Sequence, residues 1–493
     1  MKKLHFLALG ALLVVFVIAA SALLARGQGW GDDFAQYVMQ AKSILNGTER
    51  QTIAENVFAI DNSSQHYAPS VYPWGYPLVL SLFYLGFGLN PIVFNSLNIL
   101  FLCLFIIFFF MLLRNRLSPL EAVLVIAVVV FAPEVISYEN NITSDIAFLA
   151  VSFLSILLID RFVSGDWKEP ASLGKNIALG GTIFLAFLIR GVGILLLSTL
   201  MVCQIIAVYL HSQKQHEHKK VLINFLVPYL VFGILWGIFA LLFPSGQGYV
   251  NENLTYITNL FHLSILKDHV LFYFHAIDQR FISTIPLSPI VYGFLLAFFM
   301  IGIIAGVEKD YAFIIYSVLM IPVLLVYPNN DNRYIFPILP FFVYFSFQGM
   351  RTGFMGLRDG YHKAGQAIMY IFWIGVLLFF ANALVNLGRA NLASDRQIVG
   401  PFDAPSTEMF NFIKNTTPPD SVIVFFKPRA MRLFTDRNSI MITKCPQLTR
   451  GDYVVVYTKG SNLQILPADI GSCGPNLQPV FENTNFIAYK IAH

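Results

Sequence analysis

The chain has 493 residues, of which 56% are hydrophobic and 12% charged, whereas an ordinary soluble domain has about 25% charged residues. Apolar runs of about 20 residues, long enough to cross a bilayer as helices, recur from the N-terminus to about residue 386, which excludes a soluble globular protein. The net charge is only +4 and no basic stripe is interleaved with aromatic residues, which excludes a nucleic-acid-binding protein.

About eleven transmembrane helices are predicted, and the basic residues orient them, because short cytoplasmic loops carry an excess of Lys and Arg. Basic turns such as Arg114 to Arg116 and Lys214 to Lys220 are then cytoplasmic, together with the N-terminus. The first helix is interpreted as an uncleaved anchor, since its apolar stretch is longer than the core of a signal peptide. The predicted helices cover residues 4–25, 92–113, 119–135, 145–163, 176–189, 192–210, 221–243, 286–306, 311–327, 333–349 and 366–386.

The apolar stretch from Tyr76 to Gly88 is predicted not to cross the membrane, because a crossing there would put Arg114 and Arg116 outside. It is short, and prolines and a glycine among aromatic residues precede it, which is typical of an interfacial or re-entrant helix. Three segments are then expected on the outer face. They are a first outer loop over residues 26–91, a second loop over residues 244–285, and the tail after residue 386.

The tail has a different character from the rest of the chain. Ser421 to Phe426 and Tyr453 to Tyr457 are short, β-branched and bounded by turn residues, which predicts strands, and Thr407 to Lys414 predicts a short helix. We therefore expect two domains, a transmembrane catalytic domain over residues 1–386 and a small soluble α/β domain over residues 387–493.

Two cysteines, Cys445 and Cys473, lie in this polar tail. If the tail faces an oxidising compartment, the pair could form a disulfide. Two free thiols fit the sequence equally well.

Two adjacent carboxylates, Asp32 and Asp33, follow the first predicted helix. Adjacent carboxylates repel each other, so one of them tends to have a raised pKa and can act as a base near neutral pH unless a cation compensates. The pair could also cap the helix that runs through Ala41, and the two roles are compatible.

Four other charged residues fall on the same outer face once the helices are oriented. Glu139 and Asp145 occupy the turn between the third and fourth helices, Arg190 lies in the next outer hairpin, and Arg333 lies at the outer end of the tenth helix. A charged residue flanked by apolar helix needs a partner or a water-filled cavity, which makes it a functional candidate. The simpler interpretations are that the arginines anchor helix ends at the headgroups and that Asp145 caps a helix.

This combination of charges matches what sugar transfer from a lipid phosphate requires. The acceptor hydroxyl must lose a proton, for which a carboxylate is suited. The departing phosphate must be neutralised, for which guanidinium groups are suited in geometry and charge. We therefore predict a glycosyltransferase that uses a lipid-linked sugar.

The order of these residues over positions 1 to about 350 resembles that of the C-type (GT-C) glycosyltransferase superfamily. Within it, the chain is most similar to the dolichyl-phosphate-mannose protein mannosyltransferases and the lipid A aminoarabinose transferases. Two departures are an Asp-Asp pair where Asp-Glu is commoner, and His66 near the place of a basic residue. The matching segments are Asp32-Asp33 with Tyr37, Tyr72 to Leu78, Thr143 to Asp145, Arg190-Gly191, and Arg333-Tyr334 with Pro337 and Pro340.

The resemblance implies an all-α polytopic membrane domain of GT-C type, and the strand pattern of the tail predicts a small α/β soluble domain after it. It also implies an inverting hexosyl or pentosyl transfer from a polyprenyl-phosphate-linked sugar to a lipid, glycan or protein acceptor on the outer face. The expected location is the bacterial cell inner membrane, among membrane lipids, with the N-terminus cytoplasmic and the tail periplasmic.

Roles for the candidate residues follow from the same resemblance. Asp32 would be the base with Asp33 assisting, and Asp145 would position the acceptor or a divalent cation, which leaves the metal requirement open. Donor phosphate would bind Arg190 and Arg333. The residues expected to contact substrate are Tyr37, His66, Glu139 and Tyr334.

Two other functional classes remain open on the sequence. A transporter or flippase for a lipid-linked substrate would place charged residues near the membrane midplane and often shows repeated halves, whereas here the charges lie at helix ends and no repeat is visible. A non-catalytic scaffold subunit would use the same residues as caps and anchors, with the tail binding a partner.

Overall fold

The computed structural model describes residues 2–65, 69–163, 172–211, 218–245, 263–327, 330–355, 362–473 and 477–492. This part of the chain is mostly helical, with one five-stranded sheet near the C-terminus, which confirms the predicted fold class. The α-helices are α1 (Lys2–Leu23), α2 (Asp33–Asn46), α3 (Glu49–Asp61), α4 (Gly75–Phe87), α5 (Pro91–Leu113), α6 (Pro119–Val130), α7 (Pro133–Ser137), α8 (Asp145–Val163), α9 (Leu173–Ile189), α10 (Leu195–His211), α11 (His218–Leu242), α12 (Leu263–Ala276), α13 (Ser288–Gly306), α14 (Tyr311–Val326), α15 (Leu339–Met355), α16 (His362–Ala393), α17 (Ala404–Thr416) and α18 (Pro428–Thr435).

The chain is a multi-pass membrane protein. Six described helices are long and apolar enough to cross a bilayer, and a bent pair of helices makes up to seven. The predicted total of eleven crossings therefore stays a prediction. The six are Lys3–Leu23, Pro91–Leu113, Gly191–Tyr209, Asn224–Leu242, Ser288–Gly306 and Lys363–Ala393.

The helix predicted over residues 119–135 is present as two segments, and its crossing of the membrane stays a prediction. Pro119–Val130 and Pro133–Asn140 are separate segments at an angle of 59°. The break has a chemical cause, because the Pro133 ring cannot donate the backbone hydrogen bond that would continue the helix and clashes with the preceding turn.

Three other segments differ from the predicted boundaries. Helix α12 lies inside the segment that was expected to be a loop, and α16 continues through the predicted domain boundary at residue 386. The tenth predicted helix begins later than expected, because Arg333 belongs to a 3₁₀ turn, Asn332–Ile335, before α15. Helix α4, at 13 residues, spans about 20 Å and matches the short helix predicted not to cross.

The C-terminal α/β region (residues 404–492) is built on the sheet order β2-β1-β3-β5-β4. Strand β1 pairs in parallel with β2 and β3, whereas β5 pairs antiparallel with β3 and β4. Both predicted strands and the predicted helix are present, and Cys445 and Cys473 form a disulfide. The strands are β1 (Val422–Val424), β2 (Asn438–Ile440), β3 (Tyr453–Tyr457), β4 (Leu477–Glu482) and β5 (Phe486–Ile491).

The C-terminal α/β region packs directly against the first outer loop. The Trp30 ring lies among aromatic rings of that region, with centroids 5.1 Å from Phe426 and 5.8 Å from Phe425. The Ser64 backbone N–H donates to the Met441 carbonyl at 2.8 Å, and Lys42 pairs with Asp436 at 3.2 Å. The first outer loop is therefore held between the membrane helices and the sheet.

Two glycines allow α13 and α15 to cross in backbone contact. A Cβ at Gly302 would lie 1.9 Å from the Phe345 carbonyl oxygen, and one at Gly349 would lie 1.8 Å from the Phe298 carbonyl oxygen. Small residues at such a crossing are the usual means of close helix packing in a bilayer.

We expect Gly302→Ala to lower the thermal unfolding temperature of the detergent-solubilised protein, because the added Cβ forces the two helices apart. Gly293→Ala is the matched control. It changes a glycine on the same helix with no atom within 4 Å of the added Cβ, and alanine favours helix by about 1 kcal/mol over glycine. An equal unfolding temperature for the two variants would contradict the crossing.

Candidate active site

Charged residues from distant parts of the sequence meet at one cluster. An Arg333 Nη2 lies 3.0 Å from an Asp33 oxygen, and Nη1 lies 3.5 Å from an Asp145 oxygen. The Arg333 Nε lies 3.1 Å from Asp331. The other oxygen of Asp145 contacts the guanidinium of Arg190. Two arginines and two carboxylates that the sequence predicted as functional are thus in mutual contact, with Asp331 added.

The cluster forms because each residue lies at the end of a helical segment. Asp33 begins α2 and Asp145 begins α8, where carboxylates are favoured by the partial positive charge of a helix N-terminus. Arg190 directly follows α9. The Asp331 side chain accepts a hydrogen bond from the Arg333 backbone N–H at 3.2 Å, which caps the 3₁₀ turn.

Tyrosine rings surround this cluster. The Tyr72 hydroxyl donates to Asp33 at 2.7 Å, and the Tyr72 ring stacks on Tyr37 at 4.7 Å between centroids. The Tyr334 ring lies beneath both guanidiniums, 5.2 Å from Arg190 and 5.4 Å from Arg333. Such contacts between cations and aromatic faces are favourable and fix the planes of the two guanidiniums.

The two first-loop carboxylates have different environments. Burial raises the pKa of Asp33, but Arg333, the Tyr72 hydroxyl and Arg429 outweigh it and hold that pKa below its usual value. Burial raises the pKa of Asp32 above its usual value, although Arg429 and Lys427 oppose the shift. Asp32 is therefore the more basic carboxylate of the pair.

The Asp32 side chain does not cap helix α2, although the sequence allowed that role. It occupies the N-cap position of α2, but its side chain makes no capping hydrogen bond. Its Oδ1 instead accepts a 3.4 Å hydrogen bond from the Ala430 backbone N–H of the C-terminal α/β region.

Two cavities meet at the cluster. One, of about 650 Å³, lies among the membrane helices and is lined mostly by apolar side chains such as Phe148, Leu195 and Val323. The other, of about 880 Å³, lies beneath the C-terminal α/β region and includes Asp32 and Lys427. Residues that line both are Asp33, Pro69, Tyr72, Tyr327, Arg333 and Tyr334.

The structure does not bring every predicted residue to the cavities. Glu139 is fully buried in the turn Tyr138–Asn140 and lines neither cavity. Its carboxylate oxygens have no hydrogen-bond partner among the described residues. His66 lies outside the described residues. Tyr37 and Tyr334 line the cavity among the membrane helices, and their contact with substrate stays a prediction.

Three residues that the sequence did not single out contribute to the cluster. Asp331 could have been noticed, because it lies two residues before Arg333. Tyr72 was seen only as part of a proline-containing segment. Arg429 could not be predicted as part of the site, since nothing in the local sequence distinguishes it from the other basic residues of the tail.

The surroundings of Asp145 do not fit a divalent cation, because both carboxylate oxygens contact guanidinium groups. Among the described residues, no three His, Cys, Asp or Glu side chains are grouped so as to hold a metal ion.

The fold that carries this site is similar to folds of solved structures. ArnT from Cupriavidus metallidurans, a lipid A aminoarabinose transferase crystallised with undecaprenyl phosphate, is 12% identical with a TM-score of 0.57, and 97% of each chain is covered. The oligosaccharyltransferase AglB from Archaeoglobus fulgidus, in complex with an inhibitory peptide and a dolichol-phosphate, is 11% identical with a TM-score of 0.56; the match covers 100% of this chain and 74% of AglB.

These neighbours confirm the fold that the sequence motifs predicted, that of GT-C membrane glycosyltransferases. No protein-family model matches the sequence, and no curated protein sequence is similar to it. At 11–12% identity the likeness concerns the fold, so activity has to be argued from the site.

Replacing Arg333 with Gln should destabilise the protein by about 1.5–3 kcal/mol, the contribution of a hydrogen bond to a charged group, because Asp33 loses its guanidinium partner, whereas Asp145 keeps Arg190. The loss should be larger at pH 8 than at pH 5. In the wild type the lowered pKa of Asp33 keeps its stabilising pair intact above its unfolded pKa, whereas in the variant an unpaired buried carboxylate is relieved by protonation at low pH.

The measurement is thermal unfolding at both pH values. Arg26→Gln is the control, since Arg26 and Asp395 form an ion pair with side chains 58% and 77% exposed, which contributes little. Equal losses for the two variants would show that the cluster is not a buried network.

Proposed function

We propose that this protein is a glycosyltransferase that moves a sugar from a polyprenyl-phosphate donor to an acceptor on the outer face of the membrane. The observation that carries the proposal is the position of the first-loop carboxylates. Asp33 lies where an apolar cavity and a polar cavity meet and contacts a guanidinium that faces both, and Asp32 lines the polar cavity next to it.

The donor fits the cavity among the membrane helices. Its apolar lining suits an isoprenoid chain, while Arg190 and Arg333 at its outer end supply fixed positive charge for a phosphate. Two structures with this fold were solved with lipid phosphates, ArnT with undecaprenyl phosphate and AglB with a dolichol-phosphate. An Arg pair that already binds carboxylates can exchange part of that contact for phosphate oxygens.

The acceptor fits the polar cavity beneath the C-terminal α/β region. Asp32 lines this cavity but not the apolar one, whereas Asp33 lines both. An acceptor hydroxyl in the polar cavity would therefore approach the donor sugar from the side opposite the phosphate. That direction of approach inverts the configuration at the anomeric carbon.

The transfer step then assigns a role to each group. Asp32 takes the proton of the acceptor hydroxyl, and the oxygen forms a bond to the anomeric carbon as the bond from that carbon to the phosphate oxygen breaks. The electron pair leaves with the polyprenyl phosphate, whose added negative charge is stabilised by Arg190 and Arg333. Asp33, whose pKa is lowered by Arg333 and the Tyr72 hydroxyl, is the weaker base of the two and holds the Arg333 guanidinium in place.

Asp32→Asn should reduce transfer by about 10²–10⁴-fold, the usual contribution of a general base, while binding of undecaprenyl phosphate is unchanged. The assay incubates purified protein with radiolabelled polyprenyl-phosphate sugars and a membrane extract. Asp61→Asn, an exposed aspartate at the end of α3, is the control. Full activity of Asp32→Asn would rule out Asp32 as the base.

Arg190→Gln should weaken binding of undecaprenyl phosphate by about 10- to 100-fold, because hydrogen bonds to charged groups contribute about 1.5–3 kcal/mol each. Binding is measured by titrating the lipid into purified protein and following intrinsic fluorescence. The exposed Arg280 provides the control variant Arg280→Gln. Unchanged affinity in Arg190→Gln would place the donor phosphate elsewhere.

A further inference from the structure

One arginine of the C-terminal α/β region reaches out of that region into the first outer loop. Arg429 belongs to α18 and is 1% exposed. Its Nε donates to the Asn56 side-chain oxygen at 2.9 Å, its Nη1 donates to the Tyr72 hydroxyl at 3.3 Å, and its Nη2 donates to the Pro69 carbonyl. These three partners all belong to the first outer loop.

The same turn of α18 contacts the surroundings of both candidate carboxylates. The Tyr72 hydroxyl, which accepts from Arg429, donates in turn to Asp33 at 2.7 Å, and the Arg429 guanidinium lies 5.3 Å from the Tyr72 ring centroid. The next residue, Ala430, donates its backbone N–H to Asp32. Arg429 therefore reaches Asp33 through the Tyr72 side chain, and the residue after it contacts Asp32 directly.

We propose that Arg429 is a positioning residue through which the C-terminal α/β region holds Tyr72 and the first-loop carboxylates in the geometry for transfer. The inference rests on the proposed function for its meaning, since it assumes that Asp32 is the base. On this view the C-terminal α/β region is a component of the active site. The segment before α18 supports this, because Phe426, Lys427 and Pro428 line the polar cavity.

Arg429 also affects the pKa values of Asp32 and Asp33. The charged groups that face Asp32 are Arg429, Lys427 and Asp33, and those that face Asp33 include Arg333 and Arg429. Burial raises the pKa of Asp32, and among the groups that lower this pKa Arg429 has the largest effect. Removing Arg429 should therefore raise that pKa further. Because a base acts in its deprotonated form, the acidic limb of the pH–rate profile should move to higher pH.

A second buried arginine in the same region provides a matched control. Arg437 is 9% exposed. Its hydrogen bonds go to Thr417, Thr435 and the Lys414 carbonyl, within the C-terminal α/β region. Removing it should disturb the packing of that region without touching the first outer loop.

The experiment compares Arg429→Met, Arg429→Lys and Arg437→Met in the full-length protein in lipid nanodiscs. Arg429→Met should lower kcat by about 10- to 100-fold, the loss of one to two hydrogen bonds to a charged group, and shift the acidic limb to higher pH. Arg429→Lys keeps the charge but not the three-way contact, so kcat should fall while the limb stays near its wild-type position. Undecaprenyl phosphate should bind all three variants as it binds the wild type.

Two outcomes would overturn the proposal. One is an Arg429→Met variant with the same pH profile and the same kcat as Arg437→Met. The other, if Arg429→Met does not fold, is an Arg429→Lys variant with wild-type kcat.

A second readout separates this inference from the proposed function. Dicyclohexylcarbodiimide labels carboxyl groups in their protonated form, so the pH dependence of Asp32 labelling, followed by mass spectrometry, reports its pKa without any transfer assay. Arg429→Met should label Asp32 up to a higher pH than the wild type or Arg437→Met. A wild type that transfers no sugar would refute the proposed function while the labelling still tests Arg429; identical labelling curves in the three proteins would refute the role of Arg429.

Discussion

The contacts of Arg333 are the interaction on which the candidate active site depends. Its guanidinium is 17% exposed and touches carboxylates from the start of α2, the start of α8 and its own turn. A buried charge that loses its partner costs several kcal/mol, so these segments cannot separate without a large loss of stability. One side chain thus joins the first outer loop to the membrane helices at the place where the two cavities meet.

The sequence predicted the fold class and the helical core well, because apolar length and the distribution of basic residues are local properties. It failed where one residue overrides a pattern, as at Pro133, which breaks an apolar run that otherwise predicts one continuous helix. It also left α12 unpredicted, since the polar residues in that segment conceal its helical character.

For the site, the sequence supplied Asp32, Asp33, Asp145, Arg190 and Arg333, because charges flanked by apolar helix are conspicuous. It could not supply Arg429, which comes nearly 400 residues after Asp32, with hydrogen bonds to the first outer loop across sequence separations of 357 to 373 residues. The family resemblance favoured Asp32 as the base, but the residues themselves gave no physical reason to prefer it to Asp33. The pKa values of the two carboxylates differ because the folded chain places different neighbours beside each of them. The sequence of two adjacent, identical residues does not show which neighbours these will be.

The side chains that line both cavities have a consequence for how substrates and products would move. Asp33, Tyr72, Arg333 and Tyr334 line both cavities, so under the proposed function the lipid and the acceptor would have separate approaches to the reacting atoms. Spent polyprenyl phosphate would then return sideways to the bilayer, and the glycosylated acceptor would leave through the polar cavity. Under the proposed function neither product would have to leave before the other. Polyprenyl phosphate would compete with the donor, whereas the glycosylated acceptor, whose sugar takes the place of the donor sugar, would compete with both substrates.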